Sequence, residues 1–307
     1  MARLAVLGSV NMDLVVRTPR FPLPGETLLG HGFRTVPGGK GANQAVAARR
    51  LGAEVSLVGR VGDDGFGQAL HAGLAREGVD TAQLTVTPGE STGVALITVE
   101  DGGENTILVV PGANARVSPE DVDAACVALE GASALLLQLE TPLPAVQRAV
   151  ERASARGVRV LLNAAPAQPL PASLLAQVDV LVVNETEAAL LAGTASSRAV
   201  PEEDARTLLG AGARSVVVTL GREGALLVGR DGRRLTVPGF PVRAVDTTAA
   251  GDAFVGAFAV ALAEGRAERD ALVRGCAAGA LAVTREGAQP SLPMREKVEA
   301  FLALQRA

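Results

Sequence analysis

The feature that most constrains this chain is a repeated alternation between short runs rich in Val and Leu and longer segments of helical period. The run at 55–58 is followed by a helical pattern at 66–76, that at 134–139 by one at 145–156, and that at 178–183 by one at 185–191. Further strand-like runs lie at 158–162 and 215–220. Apolar strands without in-out alternation are buried on both faces, so this rhythm predicts a mostly parallel, doubly wound α/β sheet flanked by helices. A chain of 307 residues can bury such a core without covalent staples. Its two cysteines, Cys126 and Cys276, have neither metal-ligand spacing nor a neighbouring histidine and read as small buried hydrophobes.

Two stretches break the rhythm. Residues 14–36 hold short alternating segments at 14–17 and 31–35 around the turn Pro22-Leu23-Pro24-Gly25. Residues 92–110 read as two strands joined at Asp101-Gly102-Gly103. Together they predict a small inserted β-sheet, either a lid over a site or a plain surface hairpin pair. Beyond Gly251 the pattern turns helical, at 253–263, 267–283 and 294–304. No linker, repeat or low-complexity segment interrupts the chain, so 1–307 is expected to form one domain carrying a lid at about 14–36 and 92–110.

A net charge of −4 lacks the basic excess that a nucleic-acid binder needs. The first residues read as a strand, and no apolar run approaches membrane-spanning length, so a cytoplasmic protein without membrane partners is expected. Trp and Tyr are absent and the only lysines are Lys40 and Lys297, a bias that suits a GC-rich genome and says little about function.

Three segments can carry chemistry. Gly38-Gly39-Lys40-Gly41-Ala42-Asn43-Gln44 is a glycine-rich turn opening a helix, where backbone can approach a ligand and free amides meet anions or hydroxyls. It does not meet the Walker A spacing, and a simple capping turn remains the plain alternative. Gly8-Ser9-Val10-Asn11-Met12-Asp13 follows the first strand and offers an Asn and an Asp suited to vicinal hydroxyls, or else a turn. Asp246-Thr247-Thr248-Ala249-Ala250-Gly251-Asp252 is the strongest signal: a turn of small residues frees the amides of a following helix, and Asp252 sits on the turn as a base. One turn would then supply both an anion hole and a proton acceptor for phosphoryl transfer. Thr219-Leu220-Gly221-Arg222-Glu223-Gly224 could approach phosphates or simply form a hairpin. Asn184 and Glu187, three residues apart, could hold Mg²⁺ through water or form a capping box. His31 and His71 have no triad partners.

These pieces, in this order and over essentially the whole chain, resemble the ribokinase family of carbohydrate and nucleoside kinases. The motifs around Gly38–Asn43 and Asp246–Asp252, with the ending Ala282-Val283-Thr284-Arg285-Glu286-Gly287-Ala288-Gln289-Pro290-Ser291, resemble its ribose-phosphorylating members. The resemblance implies ATP-dependent phosphorylation of ribose at the 5-hydroxyl. Asn11, Asp13, Gly39, Lys40, Asn43 and Glu140 would contact the sugar, and Asp252 would deprotonate it. Asn184, Thr219, Gly221 and Gly224 would line the ATP site, Ala250, Gly251 and Asp252 would give amides to the anion hole, and Glu187 would organise Mg²⁺. A monovalent cation, usually K⁺, would lie beside that hole at Asp246, Thr248, Ala282, Arg285, Gly287 and Ser291, mostly on carbonyls. Cys276 stands where the family often places Asn or His against adenine. The resemblance also implies that the inserted sheet is a lid and a homodimer surface. A kinase for another sugar or a nucleoside, and a catalytically silent sugar-binding regulator, are the competing readings. The polar cluster around Asn11 and Asp13 favours a polyol over a nucleoside, and Asp252 on its intact turn argues against a silent protein.

Overall fold

The computed structural model describes residues 2–194 and 200–305. The chain runs through β1 (Arg3–Leu7), β2 (Asn11–Thr18), β3 (Gly32–Gly38), α1 (Lys40–Arg50), β4 (Glu54–Gly62), α2 (Gly65–Arg76), β5 (Asp80–Thr87), β6 (Gly93–Glu100) and β7 (Asn105–Val110). It continues through α3 (Pro119–Ala124), β8 (Ala134–Leu137), α4 (Leu143–Ser154), β9 (Arg159–Asn163), α5 (Ala172–Leu175), β10 (Val180–Asn184), α6 (Glu185–Ala192), α7 (Pro201–Ala211) and β11 (Ser215–Thr219). The hairpin β12 (Gly224–Gly229) and β13 (Arg234–Pro238) precedes α8 (Ala250–Ala263), α9 (Glu268–Ala282) and α10 (Arg295–Leu304).

The main sheet has nine strands in the order β13-β12-β11-β10-β9-β8-β1-β4-β5. It is parallel from β5 to β11 and closes with the antiparallel β12 and β13. Its Val- and Leu-rich strands bury both faces, and two apolar cores result. One packs α1, α2, α8, α9 and α10 against one face; the other packs α4, α5, α6 and α7 against the opposite face. The doubly wound reading of the sequence therefore holds.

The direction of winding reverses at β1, whose neighbours are β4 on one side and β8 on the other. Helices that leave adjacent strands on opposite sides open a crevice at the strands' carboxyl ends, where ligands of open α/β sheets bind. Residues after β1, β8, β9, β10 and β11 converge on that edge.

The inserted segments form a separate sheet in the order β3-β2-β6-β7. β2 pairs antiparallel with β3, β6 antiparallel with β7, and the two hairpins join through a parallel β2–β6 ladder that starts at Asn11 opposite Gly93. This differs from the expected short strand at 14–17: β2 begins at Asn11, because its backbone is paired on both sides from that residue onward. Asn11 and Asp13 thus sit on the central lid strand rather than on a turn. A second boundary moves in α8, which begins at Ala250 rather than 253, so Asp252 occupies the helix's first turn.

Candidate active site

The carboxyl end of β1 and the start of α1 are locked together by backbone. The amide of Ala42 donates to the Ser9 carbonyl at 2.9 Å, and the amide of Gly8 donates to the Val58 carbonyl at 3.1 Å. Gly39 caps α1 with φ of +87°, and a Cβ there would lie 2.7 Å from the Asn11 amide nitrogen. Only glycine fits both demands. This brings Asn11, Asp13, Lys40 and Asn43 to one place.

Glu140, just beyond β8, closes the group. Its Oε2 accepts from the Ser9 hydroxyl and, at 3.1 Å, from the Lys40 amide. Asn43 Nδ2 donates to Asp252 Oδ2 at 2.9 Å and Gln44 Nε2 donates to Asp252 Oδ1 at 3.0 Å, which binds the first turn of α8 to α1. Asn43 Oδ1 is buried and has no partner among the described residues, leaving an acceptor free for a ligand hydroxyl.

The charges around this point are strongly coupled. Burial pushes the Asp13 carboxyl up to about 7, the charges of Glu140 and Asp252 push the same way, and Lys40 opposes them. Burial likewise raises Asp252, against the pull of Lys40 and of its bonds from Asn43 and Gln44. Burial alone would lower Lys40, yet the carboxylates of Asp252, Glu140, Glu187 and Asp13 outweigh it and hold the ammonium above its ordinary value. A half-buried lysine among carboxylates beside a buried Asp of raised pKa is the pattern expected of an acid-base site.

Two cavities meet here. One of about 430 Å³ lies between the inner face of the lid and the loops at 244–248 and 286–288, with Asp13, Val36, Ile97 and Thr247 in its wall. The other, about 190 Å³, is lined by Lys40, Asn184, Glu187, Thr219, Gly251 and Asp252. Thr248 borders both. The N-terminus of α8 thus stands at their junction. The amides of Gly251 and Asp252 have no hydrogen-bond partner among the described residues, whereas that of Ala250 donates to the Thr247 carbonyl at 3.2 Å. Of the three amides expected to form an anion hole, only that of Ala250 is engaged, by the tight turn entering the helix.

The other expected residues divide. Asn184 and Glu187 form a reciprocal capping box, each amide donating to the other's side chain at 2.8 Å, and burial raises the Glu187 carboxyl. Both residues also line the smaller cavity, so the capping box does not remove them from it. Gly224 is required by the fold itself, since a Cβ would lie 2.0 Å from the Val237 carbonyl; Gly221 is exposed and open. Neither lines a described cavity. Cys276 is buried in the apolar core around α9, away from both cavities, and burial pushes its thiol up to about 12. Its packing bears out the buried-hydrophobe reading for Cys276, whereas Cys126 is only half-buried.

Asp246 is held in the loop before α8: Oδ1 accepts from the Thr248 amide at 2.9 Å and from the Thr248 hydroxyl, and Oδ2 accepts from the Gly287 amide at 2.8 Å. Burial would raise this carboxyl, but those bonds and the charge of Arg34 hold it below its usual range. The Ala282 carbonyl accepts from the Arg285 amide at 3.2 Å, and the Ser291 hydroxyl donates to the Ala288 carbonyl at 2.8 Å. Arg285 is exposed. The structure therefore draws Asp246, Thr248 and Gly287 together, and the Val283 carbonyl, next to Ala282, accepts from the Val245 and Asp246 amides.

Sequence reasoning missed Asn114, fully buried after β7. Its Oδ1 accepts from the Val10 amide at 2.9 Å and its Nδ2 donates to Asn11 Oδ1 at 2.7 Å, fixing the Asn11 side chain. It also missed Gln138 and Asn163, which stand behind Gln44. Their only sequence signal is a polar residue at the end of an apolar strand.

Comparison with known proteins agrees with this geometry. The pfkB family carbohydrate kinase model matches residues 1–295. A ribokinase of Haemophilus influenzae is 42% identical over 97% of this chain and 98% of its own length. A deoxyribokinase of Salmonella typhi is 39% identical over 98% of this chain and 99% of its own. The structure of Arabidopsis thaliana ribokinase complexed with ribose and ATP superposes with a TM-score of 0.92 at 34% identity, covering 98% of this chain and 99% of that one. On the matched family, the near-complete coverage and the shared fold, the chain belongs to the pfkB family of carbohydrate kinases.

Proposed function

We propose that this protein transfers the γ-phosphoryl group of ATP to the 5-hydroxyl of D-ribose. The observation that carries the reading is the placement of Asp252: a buried carboxylate on the first turn of α8, beside two unpaired amides, where a lid-covered cavity meets a cavity lined by Lys40, Asn184 and Thr219. Ribose hydroxyls would donate to Asp13 and Glu140 and meet the free Asn43 Oδ1. Asn184 and Thr219 would face ATP in the smaller cavity. Asp252 takes the proton of the attacking hydroxyl as the new O–P bond forms, and the bond from the γ-phosphorus to the bridging oxygen breaks, releasing ADP. The amides of Gly251 and Asp252 and the Lys40 ammonium stabilise charge gathering on the phosphoryl oxygens. Burial that raises the Asp252 pKa brings it closer to neutrality, where a general base works best.

The residues fit the ions such a reaction uses. Glu187 keeps one carboxylate oxygen without a partner among the described residues and lines the smaller cavity, so it would hold Mg²⁺ through water, and that ion would neutralise phosphate charge. A monovalent cation such as K⁺ would be held by carbonyls of the loop in which Asp246 accepts from the Thr248 and Gly287 amides. That site would steady the loop entering α8.

The outer lid face supports a homodimer. Strand register places Phe33, Leu14, Leu96, Leu108 and Val110 on the side away from the cavity, and Phe33 and Leu108 are 68% and 63% exposed. A second copy covering this face would bury an apolar patch that monomers rarely leave open. No helix among the described residues is long and apolar enough to cross a membrane, and use of ATP fits work in the cytoplasm.

The test is ADP release with Mg-ATP over ribose, 2-deoxyribose, fructose and adenosine, with and without K⁺. Ribose-dependent release, raised by K⁺, is expected. Because a relative is a deoxyribokinase, 2-deoxyribose is the second acceptor to watch, and turnover with it alone would overturn the assignment of ribose.

A further inference from the structure

Beside Asp252 lies a chain of amides, with Asn163 in the wall of the smaller cavity, that the reaction described above does not use. Gln44 and Gln138 are fully buried and Asn163 nearly so. Gln44 Nε2 donates to Asp252 Oδ1 and to Asn163 Oδ1, both at 3.0 Å, while Gln44 Oε1 accepts from Gln138 Nε2 at 2.6 Å. Asn163 Nδ2 in turn donates to the Val182 carbonyl at 3.2 Å.

The direction of this chain is fixed by its ends. An ionised carboxylate and a backbone carbonyl can only accept, so the NH₂ of Gln44 must face Asp252 and that of Asn163 must face Val182. Gln44 Oε1 is then turned to Gln138, whose NH₂ meets it. Reversing any one amide would set two donors or two acceptors against each other. The room for Gln138 comes from Gly8: a Cβ there would lie 2.0 Å from Gln138 Oε1. The start of the Gly8–Asp13 motif is thus shaped by the far end of the chain that reaches Asp252.

We infer that Gln44 is a positioning residue for the base, aimed by Gln138 and Asn163, and that it keeps the Asp252 carboxylate oriented and ionised for proton transfer. This rests on Asp252 acting as the base. Gln44 donates to one carboxylate oxygen and Asn43 to the other, so the group cannot rotate, and each oxygen keeps a lone pair for the incoming hydroxyl. A hydrogen bond to the charged form of a carboxylate favours ionisation, and a chain of amides polarised in one direction strengthens the terminal bond. Asn43 adjoins the acceptor site through its free oxygen, whereas Gln44 has all its polar atoms engaged within the protein. Its effect should therefore fall on kcat and its pH dependence rather than on sugar affinity.

The test compares kcat and KM for ribose between about pH 6 and about pH 9 in wild type, Gln44→Met, Gln138→Met and Asp252→Asn, with thermal melting as a check of folding. For Gln44→Met the acid limb of kcat should move up by about one pH unit. On the acid limb turnover should fall by up to roughly tenfold and recover towards the wild-type value at about pH 9, with KM within about threefold. Gln138→Met, which leaves the bond to Asp252 in place, should shift the limb in the same direction by less, and it decides the matter alone if Gln44→Met does not fold. Acid limbs that stay with the wild type, whether kcat falls evenly at every pH or does not change, would reduce these residues to core packing and overturn the inference. Asp252→Asn separates the two levels: turnover near wild type in that variant would remove Asp252 as the base, a different failure from an unmoved limb in the glutamine variants.

Discussion

The two walls of the acceptor cavity are built on opposite principles. On the core side, Asn43, Gln44 and Asp252 are buried, and every contact that aims Asp252 is a short hydrogen bond inside close-packed helices. On the lid side, Met12 and Leu14 at the base of β2 pack on the core, but the contact to the loop at 286–288 is made by exposed ion pairs: Arg34 meets Glu286 at 2.6 Å and Arg17 meets it at 3.6 Å, with all three side chains between 39% and 52% exposed. Exposed pairs of this kind contribute about 0–1 kcal/mol each. The difference assigns rigidity to the atoms that react and weak, breakable attachment to the sheet that must admit and release the sugar.

The largest effect should come from the core. Asp252→Asn keeps the shape of the side chain and removes the base, so kcat should fall about 10²–10⁴-fold, equivalent to about 3–5 kcal/mol, with ribose affinity nearly kept. Steady-state kinetics beside calorimetry separates the two quantities, and equal losses in both would blur the division between reacting and holding residues.

Next comes Asp13, which belongs to the lid strand yet points its carboxylate into the core cluster. Asp13→Ala should weaken ribose by up to roughly 100-fold, since hydrogen bonds to a charged group contribute about 1.5–3 kcal/mol each, and should leave ATP binding unchanged in calorimetry. The pH dependence carries the same message. Because the free protein holds this carboxyl at about 7, protonation below that value removes an acceptor. Ribose affinity in the wild type should therefore fall as pH drops through about 7, approaching a tenfold loss per unit, and Asp13→Asn should flatten the dependence.

Leu108→Glu tests the outer face of the lid. In sedimentation it should turn a dimer into a monomer while changing kcat by less than about twofold, because Leu108 faces away from the cavity. A wild-type monomer would remove the homodimer reading. Glu286→Gln should have the smallest effect: loss of two exposed pairs should raise KM for ribose by no more than about fivefold, with kcat nearly constant.

What could be read in advance follows the same division. Parallel strands buried on both faces announce themselves as apolar runs; the Gly8–Asp13 and Gly38–Gln44 motifs directly follow strands, while Asp246–Asp252 opens α8 after the loop beyond β13. The start of β2 escaped because Asn11 and Asp13 are polar and short, and only pairing with β3 and β6 makes them strand. The start of α8 escaped because Ala249, Ala250 and Gly251 have no side-chain periodicity to mark a boundary. Asn184 and Glu187 form a capping box and also line the smaller cavity, so one spacing serves both readings of them. Gln44, Gln138 and Asn163 come from three elements far apart in the chain, and nothing local marks them as one network.

The most direct test of phosphoryl transfer to the 5-hydroxyl is the proton-coupled ³¹P spectrum of the product made from ribose and Mg-ATP. A phosphomonoester on the 5-oxygen couples to the two protons of a CH₂ group, so a triplet growing in step with ADP is expected. A doublet would put the phosphoryl group on a ring carbon bearing one hydrogen, and inorganic phosphate alone would mean that water, not the sugar held beside Asp252, is the acceptor; either would contradict the assignment.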